Sequence, residues 1–126
     1  MWARVYRNVG HWAVHGYGYW ALRETATGRF VGEVGAADFH RDLTPPLGPD
    51  PELGWALVRD AWGLGYATEA VQAALVWLDT RLGPGRRTCF IDEGNAPSVA
   101  VATRCGFREF ARGLYKDKPV ILFERI

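Results

Sequence analysis

Trp62-Gly63-Leu64-Gly65-Tyr66-Ala67-Thr68-Glu69-Ala70 follows Glu52-Leu53-Gly54-Trp55-Ala56-Leu57-Val58 with only Arg59, Asp60 and Ala61 between them, and the two stretches together decide the fold. The earlier one is short and apolar, as a strand is. The later one leads into Val71, Ala74, Leu75 and Leu78 at helical spacing, so a helix runs to about Leu82. A Gly-x-Gly turn that opens a helix leaves backbone N–H groups unpaired and removes the side chains that would hold a ligand off. Phosphates can therefore approach it closely. Glycines also serve plain tight turns, so the surroundings have to decide. A phosphate loop of the Gly-Lys-Ser/Thr kind is excluded, because Gly65 is followed by Tyr66 and Ala67. A dinucleotide fingerprint fits poorly, because its third glycine would fall on Thr68 inside the helix.

Upstream, residues 3–15 set Val5, Tyr6, Val9, Trp12 and Ala13 on one side of a helix, with Arg4, Arg7, Asn8 and His11 on the other. Gly16 and Gly18 stop it. Residues 19–23 and 30–37 read as two strands joined by a polar, glycine-ended connection, an antiparallel pair. Residues 41–51 hold Pro45, Pro46, Pro49 and Pro51, and read as a surface loop. Downstream, residues 87–92 form a strand. Asn95 caps a short helix that ends at Cys105 and Gly106, and residues 107–114 and 120–125 close the chain as a hairpin. This order predicts one domain over 1–126, an α/β or α+β layered sheet.

Composition narrows the function. The 126 residues carry 15 Lys and Arg against 14 Asp and Glu, a formal charge of +1, so no overall field draws the chain to nucleic acid or to a membrane. No stretch approaches the roughly 20 apolar residues of a membrane span, and Arg4, Arg7, Asn8 and His11 interrupt any signal-like run, so a cytoplasmic protein is expected. Cys89 and Cys105 show no zinc or redox spacing and read as reduced packing residues. His11 and His15 are four apart, but no third ligand is evident, so no metal is expected.

Four blocks carry a resemblance: Glu52-Leu53-Gly54-Trp55-Ala56-Leu57, Trp62 through Ala70, Asn95-Ala96-Pro97-Ser98 and Cys105-Gly106-Phe107. In order and spacing they resemble the signature of GNAT N-acetyltransferases, and the chain looks most like the branch holding the ribosomal-protein N-terminal acetyltransferases. The resemblance implies a mixed, mostly antiparallel central sheet with helices on both faces. In it a parallel strand pair, 52–58 and 87–92, splays apart to admit acetyl-CoA. It further implies that the pyrophosphate takes N–H groups of Gly63, Leu64, Gly65, Tyr66 and Ala67, with Thr68 close by. The pantetheine arm would lie along Ala56, Leu57 and Val58 like an added strand, and Asn95 and Ser98 would meet its far end.

The sequence departs from that pattern in places. Asp60 stands where the pyrophosphate motif usually has Gln or Arg, an unhelpful charge beside a diphosphate. Family members normally carry a further strand and helix before the segment that begins here. Two expectations follow, a shortened reading frame or a homodimer that covers the exposed strand 19–23, and Trp2, Trp12 and Trp20 suit either an interface or a core.

Acetyl transfer needs a base for the amine, a polarised carbonyl and a proton for the thiolate. Glu52 is the candidate base, because it shares a strand face with Gly54 and Ala56 and would overlook a trough free of bulky side chains. A solvated strand-end carboxylate is the plainer reading. Glu33, Asp38 and Asp92 are alternatives. The resemblance puts a backbone N–H of Leu57 or Val58 at the carbonyl, finds Ala102 where many members have an acid tyrosine, and offers Ser98 as donor to the sulfur. Ser98 next to Asn95 also reads as an ordinary helix start, and Tyr115 is a reserve acid. Arg86, Arg87, Arg104 and Arg108 read as solvated charges, of which one would meet the 3′-phosphate of CoA. The expected partners are a small-molecule amine or a peptide N-terminus. The alternative function is a catalytically silent acyl-CoA-binding module.

Overall fold

The computed structural model describes residues 2–39 and 41–126. The elements in chain order are α1 (Trp2–His15), β1 (Tyr19–Arg23), β2 (Phe30–Ala37), β3 (Leu43–Thr44) and β4 (Glu52–Leu57). A 3-10 turn (Arg59–Ala61), α2 (Tyr66–Leu82), β5 (Arg87–Asp92), α3 (Ala96–Arg104), β6 (Arg108–Tyr115) and β7 (Lys118–Arg125) complete the chain. Seven strands form one sheet in the order β1-β2-β4-β5-β7-β6-β3. Every pairing is antiparallel except β4 with β5.

Each face of the sheet has its own core. On one face α2 and α3 bury Val71, Leu75, Leu78 and Ala102 against Val34, Ala36, Leu53, Cys89 and Ile91. The valine, leucine and isoleucine side chains among them contribute about 1.5–3 kcal/mol each when fully buried. The opposite face carries a smaller cluster, Leu43, Leu47, Val120 and Leu122, with Phe90 and Tyr115 packed against it. The proline-rich segment is therefore more than a surface loop. Leu43 and Leu47 enter this core, and β3 within the segment pairs with Leu114 and Tyr115. Pro45 follows directly, which keeps the pairing to two residues at the sheet edge.

The first helix forms as expected but turns its other side inward. Tyr6 and Val9 remain exposed, whereas His11, assigned to the polar side, is buried. Backbone groups supply the reason. Asn8 Oδ1 accepts from Tyr19 N–H at 3.0 Å and its Nδ2 donates to Tyr19 O at 3.2 Å, while Trp12 Nε1 donates to the same carbonyl at 3.1 Å. His11 Nε2 accepts from the N–H of Asp38 at 3.0 Å, so its Nδ1 carries the proton and donates to Tyr17 O at 2.7 Å. Satisfying these main-chain groups outweighs burying two apolar side chains.

The last hairpin is tighter than its sequence indicates. Lys116 and Asp117 make a two-residue turn, both with positive φ, which matches the twist of the flanking strands.

Candidate acetyl-CoA cleft and acceptor side

β4 and β5 pair only where Glu52 faces Thr88, and the Thr88 N–H donates to Pro51 O at 3.0 Å. Beyond that point each strand stays with its other neighbour, β4 with β2 as far as Leu57 and β5 with β7 as far as Asp92. The gap is the mouth of a cleft of about 1140 Å³. Ala56, Leu57, Gly63, Gly65, Tyr66, Ala67, Thr68, Asn95 and Ser98 all line it. Two expected contributors do not. The Val58 N–H is spent on Val31 O at 2.9 Å, and Leu64 projects into solvent. Since Val58 N–H points to β2, strand alternation turns the N–H groups of Leu57 and Trp55 toward the gap. The Leu57 carbonyl is already taken by Trp62 Nε1 at 2.9 Å.

The glycine turn is open. Gly63 and Gly65 have φ of 77° and 81°, a region that disfavours other residues, and a methyl group built on either would meet no atom within 4 Å. Gly65 caps α2 without any side-chain hydrogen bond, so among the described residues no side chain takes up the first N–H groups of the helix. The structure answers the charge of Asp60: Arg29 Nη1 donates to its carboxylate at 2.8 Å. Beside it, Tyr66 Oη donates to Glu24 Oε2 at 2.5 Å and Thr27 Oγ1 to Glu24 Oε1 at 2.7 Å. These hydroxyls, Tyr66 first, hold the Glu24 carboxyl below its ordinary value.

At the far wall Asn95 Oδ1 accepts the Ser98 N–H at 3.2 Å, so the helix-start reading of this pair holds while Ser98 also borders the cleft. Among the arginines singled out, Arg104 reaches the cleft. Arg86 and Arg87 are not solvated charges. Arg86 joins Glu124 and Asp50, and Arg87 is buried, donating to Asp79 at 3.1 Å and to Gly83 O at 2.7 Å. Trp55, Trp62, Asp92 and Lys118 also line the cleft, and sequence reading assigned none of them to the cofactor.

Glu52 is no solvated strand end. It is 7% exposed, and Arg41 Nε is 2.9 Å from both of its oxygens. Burial raises its pKa above the ordinary 4.5, with Arg41 opposing that rise. Arg41 in turn donates from Nη1 to Tyr115 Oη at 3.0 Å and lies over the rings of Phe39, Phe90 and Tyr115. A second cavity, about 410 Å³, opens here between Asp38, Phe39, Arg41, the 46–50 segment and Glu52. His40 lies outside the described residues. The remaining carboxylates separate: Glu33 pairs with Arg4, and Asp92 borders the large cleft.

The trough beside Glu52 is not open either, because Tyr19 lies in it. Tyr19, Gly35 and Gly54 are aligned across β1, β2 and β4. A methyl group on Gly35 would come within 2.4 Å of Tyr19 Cα, and one on Gly54 within 2.0 Å of Tyr19 Oη. The two glycines form a floor that lets the ring reach β4. Among the described residues no group of three or more His, Cys, Asp or Glu is arranged to hold a metal, and no helix is long and apolar enough to cross a membrane.

Splayed strands beside an uncapped, glycine-opened helix define a class that comparison with known proteins identifies. The model of the Acetyltransferase (GNAT) domain family matches residues 1–108, and the chain belongs to that family. A solved structure from Bordetella pertussis assigned to the GnaT-family acetyltransferases superposes with a TM-score of 0.92 at 31% identity, covering 99% of this chain and 75% of that one. The ribosomal-protein-S5-alanine acetyltransferase of Vibrio fischeri shares the fold, with a TM-score of 0.79 at 19% identity over 99% of this chain and 70% of that one. Among curated sequences, the uncharacterized protein YkkB of Bacillus subtilis (strain 168) is 30% identical over 112 residues, 88% of this chain. The chain spans 62% of the length of that relative.

Proposed function

We propose that this chain moves an acetyl group from acetyl-CoA to a primary amine of a small molecule or a peptide N-terminus by direct attack on the thioester. The observation that carries the reading is the β5-side edge of β4, left without a strand partner next to a helix start that no side chain caps. The amides of Gly63, Gly65, Tyr66 and Ala67 suit a diphosphate, and Arg104 suits a further phosphate of the same ligand. The free edge at Trp55 and Leu57 suits an extended amide-bearing arm. Acetyl-CoA supplies an activated acyl group and a leaving thiolate.

Glu52, a buried carboxylate with a raised pKa, takes the amine proton through water as the amine attacks. Each of its oxygens keeps a lone pair that Arg41 does not use. Ser98, which borders the cleft at its far wall, hydrogen-bonds the departing sulfur in this reading. The acceptor enters from the side of the 410 Å³ cavity. The chain acts in the cytoplasm, with neither nucleic acid nor a membrane as partner. A homodimer that covers β1 and the exposed Trp2, Tyr6 and Val9 would appear as twice the monomer mass in light scattering.

A silent acyl-CoA-binding module is the second reading, favoured by Ala102, which is fully buried where many family members place an acid tyrosine. One assay separates the two. With acetyl-CoA, a thiol reagent and a panel of amines, CoA release above the blank supports the enzyme. Thermal stabilisation by acetyl-CoA without release supports the module, and no stabilisation refutes both.

A further inference from the structure

We propose that the Tyr19 hydroxyl is a catalytic group of this chain, a hydrogen-bond donor to the acetyl oxygen as that oxygen becomes an oxyanion. The inference rests on the transferase reading above and adds a residue to it. Its basis is a side chain that the fold places with care and gives nothing to bind. Tyr19 is clamped at both its N–H and its carbonyl by Asn8, and at the carbonyl again by Trp12. Its ring stacks on Phe39 and crosses β2 over Gly35. Its hydroxyl ends over Gly54, where among the described residues it has no hydrogen-bond partner. The hydroxyl is not closed off from the surface, so its proton remains available to a ligand.

The position is as specific as the clamp. Gly54 is two residues beyond the one pairing between β4 and β5, where the splay begins. It shares a face with Glu52, which joins the smaller cavity, and it precedes Trp55 and Ala56, which line the large cleft. The hydroxyl thus lies over the strand residue between Glu52, on the smaller cavity, and Trp55, on the large cleft; Tyr19 itself lines neither, so the acetyl oxygen would reach it across Gly54.

Protonation decides between two roles for it. Burial, then the Glu52 carboxylate and more weakly Glu33, push the phenol well above its usual value, against the pull of Arg41 and Arg4. A thiol ionises near pKa 8.5, so passing the phenolic proton to the departing thiolate is uphill. The proton therefore stays on Tyr19 and is shared with the oxyanion. In the balanced step the amine nitrogen bonds to the acetyl carbon, and the carbon–sulfur electron pair leaves with the thiolate. The amine proton passes to Glu52, and Tyr19 is unchanged.

Tyr19→Phe keeps the ring and removes the donor. Expected are unchanged thermal stability, a KM for acetyl-CoA within about twofold of the parent, and a kcat lower by about 10²–10³, the usual effect of losing one oxyanion donor. Gly54→Ala, which drives a methyl into the hydroxyl, should cost a similar factor. In the Tyr19→Phe background, where the nearest ring atom is 3.1 Å away, it should cost little more. Tyr19→Phe with full kcat in an active parent overturns the role alone, as does a change confined to KM. A parent that releases no CoA with any amine overturns the transferase reading and this role with it.

Discussion

The two edges of β4 differ more than any two regions of the molecule. Toward β2 the strand is matched from Glu52 opposite Ala37 to Leu57 opposite Gly32, a complete antiparallel ladder. Toward β5 it is matched once, at Glu52, and then runs beside an open cleft. The same six residues face both ways, so neither composition nor periodicity distinguishes the edges. A strand edge inside a sheet invites pairing, and sheets normally cover or charge such edges. Here it stays bare because β5 follows β7, while a helix start without a side-chain cap faces the same opening. The lesson is that vacancy on one edge of a central strand, coupled to a donor-rich turn, marks a ligand's path better than any single side chain.

The largest effect should come from closing the turn beside that edge. Gly63→Val with Gly65→Val puts branched side chains where the backbone has positive φ and where the cleft is open. Stabilisation by acetyl-CoA, about 2.7 kcal/mol at a concentration 100 times Kd, should disappear, while circular dichroism without ligand reports a folded sheet. Retained stabilisation would mean that the ligand does not use this edge.

At the paired end of the same strand, Glu52→Gln should leave that stabilisation in place and lower kcat/KM by about 10²–10⁴, measured by CoA release. Arg41→Met sharpens the point through pH. Burial raises the Glu52 pKa and Arg41 lowers it, so removing the guanidinium raises it further. The amine needs the carboxylate form, so the acid limb of kcat/KM should move to higher pH, and Arg41→Lys should restore part of the shift. An unmoved limb would show that Glu52 is not the base. The smallest effect is Asn95→Ala, about 1 kcal/mol of stability by chemical denaturation from losing the cap.

What sequence reading captured and what it missed divide along sequence distance. The glycine turn, the Asn95 cap and the strand before the turn are local signals, and turn chemistry over a few residues is enough to place them. Glu52 was harder. The guanidinium that changes it from a solvated carboxylate to a buried, bound one sits 11 residues upstream in a segment whose prolines mark only irregular backbone. Tyr19 was harder still, because its place depends on Gly35 and Gly54 in two other strands, and such cross-strand alignment leaves no periodic trace. The helix at residues 3–15 misled in the opposite direction: a clear apolar stripe lost to backbone hydrogen bonds that only the assembled sheet presents.

The clasp formed by Glu24, Thr27, Arg29, Asp60 and Tyr66 joins the β1–β2 connection to the first turn of α2. That connection leads back along β1 to Tyr19. The wall that would grip a diphosphate and the strand that presents a phenol are therefore fastened together through Tyr66, whose backbone belongs to that wall while its hydroxyl belongs to the clasp. Loosening this clasp, by Tyr66→Phe for instance, would blur the alignment of both ends at once, the way a worn hinge pin spoils the fit of a whole door.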